Sequence, residues 1–185
     1  MSTDLLARIK QSAVLCDGAM GTLLYGKGIF INRCYDELNL SQPDLIRGIH
    51  HDYLQSGAEI IETNTFGGNS FRLARHSMAS QVHHINLAGA RLAREAVKSF
   101  DVWVAGSVGP LGVRIEPLGK TSFEEARTAF REQIAALVEG GVDLLMLETF
   151  GYLEELHQAI LAARDVNPKI PVVAHVTIDE DGNCL

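Results

Sequence analysis

The sequence predicts an α/β chain built as a partial (β/α)8 TIM barrel, with about five βα units of the eight that a closed barrel needs. Three observations carry that prediction. Apolar runs bounded by glycine and acidic residues alternate with helical patterns along the chain. The runs are apolar throughout, as in strands of a parallel sheet covered on both faces. Four successive runs end in polar or glycine-rich groups, Asp17-Gly18, Glu62-Thr63-Asn64, Gly106-Ser107 and Glu148-Thr149, at the end of the strand where a barrel gathers its chemistry.

The first predicted strand is "AVLCDGAM", after which "INRCYDELNLSQPDLI" reads as a long loop with Asn32, Arg33 and Tyr35 available over the rim. Asn39, Ser41 or Asp44 is placed to cap the next helix, "PDLIRGIHHDYLQSG", with Pro43 near its first turn. "AEIIETNTF" is the second strand and "SQVHHINLAGARLAREAVKSF" the following helix; "VWVAGSVGP" is the third strand, its end read as a tight turn needed for close packing. In "SFEEARTAFREQIAALVEGG", Ser122 precedes Glu125 by three residues, a capping box, and glycine closes the helix. "DLLMLETF", "YLEELHQAILAARDV" and "VVAHVTI" complete five strands, and Asp181-Gly182-Asn183 signals a turn.

An open doubly wound sheet is the competing architecture. Against its dinucleotide form, "DGAMGT" lacks the G-x-G-x-x-G spacing, and "GPLGVRIEPLGKTS" places no lysine as a Walker loop would. A barrel usually takes about 250 residues. At 185, the chain is expected to be a truncated domain.

Composition narrows the function. Net charge is −7 with sixteen scattered Lys and Arg, which offers no basic face to nucleic acid. No apolar run reaches the roughly 20 residues of a membrane span. "MSTDLLARIKQSAVL" lacks the basic start and apolar segment of a signal peptide, and three cysteines make no disulfide framework; the expected location is the cytoplasm.

Asp17 and Glu148 stand where apolar strands give way to loops. Each either caps a helix or salt-bridges at the rim, or both face one pocket and grip a cation such as an amino acid's ammonium. Gly18 and Gly21 read as sites where a side chain would fill space or the backbone needs positive φ. Glu62, Thr63, Asn64 and Thr65 line the pocket or stitch adjacent loops. The adjacent pairs His50-His51 and His83-His84 point about 100° apart on a helix and are expected at the surface. Nothing in the spacing of Cys16, Cys34 and Cys184 brings them together as a zinc site.

"DGAMGT", "ETNTFGGN", "GSVGPLG" and "GGVDLLMLETF", in this order and spacing, resemble the homocysteine S-methyltransferase family over essentially the whole chain. "GIFINRCYDELNLSQPDLI" and "EPLGKTS" further resemble the N-terminal module of bacterial bifunctional proteins that join this domain to a methylenetetrahydrofolate reductase. The resemblance implies a barrel that binds homocysteine at its rim and transfers a methyl group to the sulfur, giving methionine, with a methyl donor and a fused reductase as partners. It implies substrate-binding roles for Asp17 and Gly18 beside the amino and carboxylate groups, Ala19 through its amide, Thr63 and Asn64 in the wall, and Glu148 on the ammonium. It also implies zinc in the full-length domain, bound by three later cysteines. Residues 1–185 are therefore expected to be the N-terminal part of the barrel, lacking the last strands, the zinc ligands and any catalytic residue, and inactive alone. The alternative is a non-catalytic amino-acid-binding or association module derived from the same barrel.

Overall fold

The computed structural model describes residues 5–184; Met1–Asp4, which open the stretch read for a signal peptide, and Leu185 lie outside the described residues. A short helix α1 (Leu5–Gln11) leads to residues 14–17, then α2 (Met20–Gly26), α3 (Leu38–Ser41), α4 (Pro43–Gln55) and strand β1 (Ile60–Glu62). After β1 come α5 (Ser70–Ala74), a 3-10 turn (Ala79–Gln81), α6 (Val82–Ala96), β2 (Trp103–Val108), α7 (Phe123–Glu139), β3 (Leu144–Phe150), α8 (Leu153–Val166) and β4 (Val172–Val176).

The four strands are parallel and stand in the order β1-β2-β3-β4. A doubly wound sheet reverses its order partway, whereas a barrel adds each strand beside the last. The monotonic order selects the barrel. The predicted first strand is reduced to a single parallel bridge, Cys16 to Ile60. Leu15 accepts from both Glu59 and Ile60, and Asp17 N–H donates to Ile60. The chain then turns away at Gly18 and enters α2, so the ladder ends after one pair.

Side chains alternate across the sheet. Ile61, Val104, Leu145 and Leu147 face outward onto the helices. Phe130 and Phe150 meet there at 5.9 Å between ring centroids, and Ala159, Ala162 and Ala163 of α8 close the layer. Ile60, Ala105, Leu144 and Met146 face the other way with Cys16 and Val173. Two residues further along those inward rows come Glu62, Ser107 and Glu148. Strand periodicity alone thus delivers three polar side chains to one end of the inner face.

Several local expectations hold. Ser122 and Glu125 form the capping box of α7, and Gly141 closes that helix at φ 89°. Gly182 takes φ 81° in the 181–183 turn. Others are corrected. Pro43 is the first residue of α4, but Gln42 occupies the N-cap, Asn39 is buried elsewhere and Asp44 pairs with Arg47. Gly106 and Ser107 lie inside β2 rather than in a turn. His50 is fully buried with neither ring nitrogen hydrogen-bonded, because Ile46, Ile49, His50 and Leu54 form the buried stripe of α4. Burial, with a lesser push from His51, lowers its pKa to about 4, so the ring is neutral.

Candidate functional site

The inner-face carboxylates open into a cavity of about 700 Å³ at the C-terminal end of the strands. Asp17, Gly18, Ala19, Thr63, Asn64 and Glu148 all line it, as do Glu62 and Ser107. Of the first-loop residues, Arg33 and Tyr35 reach the cavity; Asn32 is not among the residues lining it.

Two of the three carboxylates, Asp17 and Glu148, are held by a neighbouring strand. Asp17 Oδ2 accepts the Glu62 N–H at 3.0 Å, tying the end of the first run to β1. Ser107 Oγ donates to Glu148 Oε1 at 2.5 Å. Burial pushes the Asp17 carboxyl up to about 7, the Glu62 N–H working against it and the Glu148 charge adding to it. Glu62 is pushed further up, first by burial, then by the charges of Glu148 and Asp17 and a hydrogen bond shared with Glu148. Three acids crowded in a low-dielectric site cannot all ionise without a counter-cation. Among the described residues, none of the three is in an ion pair.

Glu148 sits at an irregularity. Leu147 pairs with Ala174 and Phe150 with Val176, so β3 carries one residue more than β4 over that interval, and Thr149 adopts φ 64°. The bulge leaves Glu148 on the cavity and returns Phe150 to the helix-facing layer. Gly18 serves a close approach rather than a positive φ: a Cβ there would lie 2.9 Å from the Tyr53 hydroxyl, which donates to the Ala19 carbonyl. Gly21 would make only ordinary contact with Tyr35, 3.4 Å away.

For residues 63–69 both sequence readings apply, since the residues line the cavity and stitch the loops. The Thr65 hydroxyl donates to Ser107 O at 2.8 Å; the Thr63 hydroxyl accepts Ser107 N–H at 3.0 Å and pairs with Thr65 at 2.6 Å. Asn64 Nδ2 donates to Tyr35 O and to Asn39 Oδ1. The loop backbone is in turn gripped by buried amides: Asn39 on Asn64 O, Gln133 on Thr65 O and Asn86 on Gly68 O, each at 2.7 Å. Asp36 accepts the Gly67 N–H at 2.8 Å. Sequence reasoning missed this support because the amides come from three distant helices. It also missed Arg72, whose place on the cavity depends on how α5 folds back.

The thiols do not suit a resident zinc. Burial and the nearby Glu62, Asp17 and Glu148 charges raise the pKa of Cys16. Burial chiefly, with Asp36, pushes Cys34 up to about 11. Both shifts disfavour the thiolate, the form that binds metal. Among the described residues no three His, Cys, Asp or Glu side chains are grouped to hold a metal ion.

A sequential parallel sheet with polar groups gathered on its inner face at the C-terminal rim defines a protein of the (β/α)8-barrel class. Within that class, the chain belongs to the homocysteine S-methyltransferase family, whose profile it matches over residues 14–185. It is 33% identical to methionine synthase of Mycobacterium tuberculosis and 32% to that of Mycobacterium leprae, over 99% of its own length and 16% of theirs. It superposes on the homocysteine methyltransferase MmuM from Escherichia coli in its metallated form with TM-score 0.80, at 26% identity, covering 97% of this chain and 70% of that one. The apo form of the same enzyme gives TM-score 0.72 at 27% identity over 66% of its chain. No helix among the described residues is long and apolar enough to cross a membrane.

Proposed function

We propose that residues 1–185 are the N-terminal part of a homocysteine-binding barrel that transfers a methyl group to the homocysteine sulfur, giving methionine. The observation that carries this reading is the set of three carboxylates, Asp17, Glu62 and Glu148, that converge on one cavity with no ion pair among the described residues. An α-ammonium supplies the cation they lack. On arrival it lies among Asp17, Glu62 and Glu148, and Ser107 keeps Glu148 oriented. Gly18 and Ala19 bring main chain close to the substrate carboxylate, while the stitched wall of Thr63 and Asn64 limits the size of the amino acid. In the reaction, sulfur loses its proton and forms a bond to the methyl carbon as the bond from that carbon to the donor breaks. The zinc of the family is assigned to ligands other than the described residues. The likeness of residues 28–46 to bifunctional proteins supports a methylenetetrahydrofolate reductase on the same polypeptide, and the free thiols Cys16, Cys34 and Cys184 suit the reducing cytoplasm.

Calorimetric titration of the protein at its natural length tests the reading. A charge-assisted hydrogen bond contributes about 1.5–3 kcal/mol, so Glu148→Gln is expected to weaken homocysteine binding roughly 10- to 100-fold, with methionine formation falling in step. Unchanged homocysteine affinity in a folded Glu148→Gln protein overturns it.

A further inference from the structure

The cavity has a second wall that the acidic site leaves unused. Arg72 on α5 and Arg75 just beyond it both line the cavity and both reach to the turn after β2. Arg72 Nε donates to the Pro110 carbonyl at 2.7 Å, and Arg75 Nη2 donates to the Gly112 carbonyl. Gly112 makes this convergence possible: it sits at φ 77°, and a Cβ there would lie 3.0 Å from Arg75 Nη2 and 3.3 Å from Arg72 Nε. The Phe66 ring supports Arg72, with the guanidinium carbon 5.2 Å from its centroid.

Among the described residues, neither arginine is in an ion pair. The carboxylates whose charges Arg72 feels are already engaged, Asp36 with Gly67 N–H and Glu155 with Leu111 N–H at 2.7 Å. A guanidinium has five N–H donors, and among the described residues one from each side chain is taken. Two like charges held side by side with donors to spare match the oxygens of a carboxylate or phosphate. The cavity, at about 700 Å³, is of a size that encloses drug-sized molecules and exceeds what one small amino acid fills.

We propose that Arg72 and Arg75 form an oxyanion subsite that takes the carboxylate or phosphate of a second small molecule while the acidic wall holds the amino acid. That the second molecule is the methyl donor rests on the homocysteine reading; the subsite itself does not. Opposite charges on the two walls then hold two ligands in a fixed orientation within one cavity.

The test titrates inorganic phosphate and glutarate into the protein at its natural length, at constant ionic strength set with chloride. R75Q and R72Q/R75Q are compared with the parent, and thermal melting checks the fold. Arg75 is exposed, so R75Q keeps the test valid if the double variant unfolds. The expected result is saturable binding of at least one probe, weakened about tenfold or more in both variants, with homocysteine affinity changed less than about twofold. Phosphate alone binding identifies a phosphorylated second ligand, and glutarate alone a carboxylate. Binding of neither probe, or binding indifferent to the variants, overturns the subsite. A tenfold loss of homocysteine affinity in R75Q also overturns it, because the wall then serves the amino acid's own carboxylate. Homocysteine binding that survives Glu148→Gln counts against the acidic-wall reading and leaves the anion result standing.

Discussion

Thr149 is the residue at which local preference and site geometry conflict. Its φ of 64° is left-handed, which costs a residue bearing a Cβ about 1–2 kcal/mol, and β-branching gives no relief. The bulge it occupies returns Phe150 to the core just beyond Glu148, which strand alternation sets on the cavity. Thr149→Gly is therefore expected to raise unfolding free energy by about 1 kcal/mol, although glycine ordinarily weakens a strand; urea denaturation measures it, and a loss of stability would show that the backbone is unstrained. At this scale Asp17 and Glu148 were legible, because a carboxylate that ends an apolar run is set at a boundary between core and solvent. Thr149 was not, because a bulge is defined by the partner strand. The burial of His50 follows from its i, i+4 relation to Ile46 in the apolar stripe of α4, not from its adjacency to His51.

Helix α6 shows how far an element's composition can mislead about what it tolerates. Gly89 lies in its interior, where alanine is ordinarily better by about 1 kcal/mol. Yet a Cβ at Gly89 would fall 2.6 Å from both Asn39 Nδ2 and Thr65 Cγ2, within the polar network that pins the cavity loop. Gly89→Ala is expected to destabilise by about 1–3 kcal/mol and to weaken homocysteine binding through displacement of Asn64. Chemical denaturation with a parallel titration reads both effects, and a stabilised variant would sink the packing argument. The capping box of α7 behaves as its sequence suggests, so Ser122→Ala is expected to cost about 1 kcal/mol with no change in binding. The four long helices were legible from periodicity. Short α2, α3 and α5 were not, since four to seven residues complete too little of a repeat and their helical form depends on packing.

For the molecule as a whole, the acidic cluster sets how stability varies with pH. The folded state raises the Asp17 carboxyl from 3.8 to about 7 and raises Glu62 as well, so it binds protons that the unfolded chain releases. Their contribution is fully present below the unfolded values near pH 4 and is lost as pH rises through 7 and beyond. Exposed carboxylates held low by partners, Glu59 and Asp165 among them, act in the opposite sense, but only as pH falls below their unfolded values. Buried His50, lowered to about 4, also acts in the opposite sense below its unfolded value of 6.5, so the melting temperature is expected to fall between pH 6.5 and pH 8. Glu62→Gln should raise it at pH 8 more than at pH 5, and homocysteine should restore the parent at pH 8. A melting temperature that is flat over this range would mean that the three acids do not share a site.

The sequence by itself determined the class of fold and the end of the sheet where chemistry gathers. Apolar strands alternating with helices can bury their surface only as a covered parallel sheet, and the polar groups ending those strands must meet solvent. It also determined the family, because four motifs in register tie local geometry to order along the chain. Only the tertiary structure decided that the first run pairs by one bridge, that Glu62 joins Asp17 and Glu148, and that Arg72 and Arg75 close on one turn. Those outcomes depend on which distant atoms come within hydrogen-bond reach, and no local propensity encodes such distances.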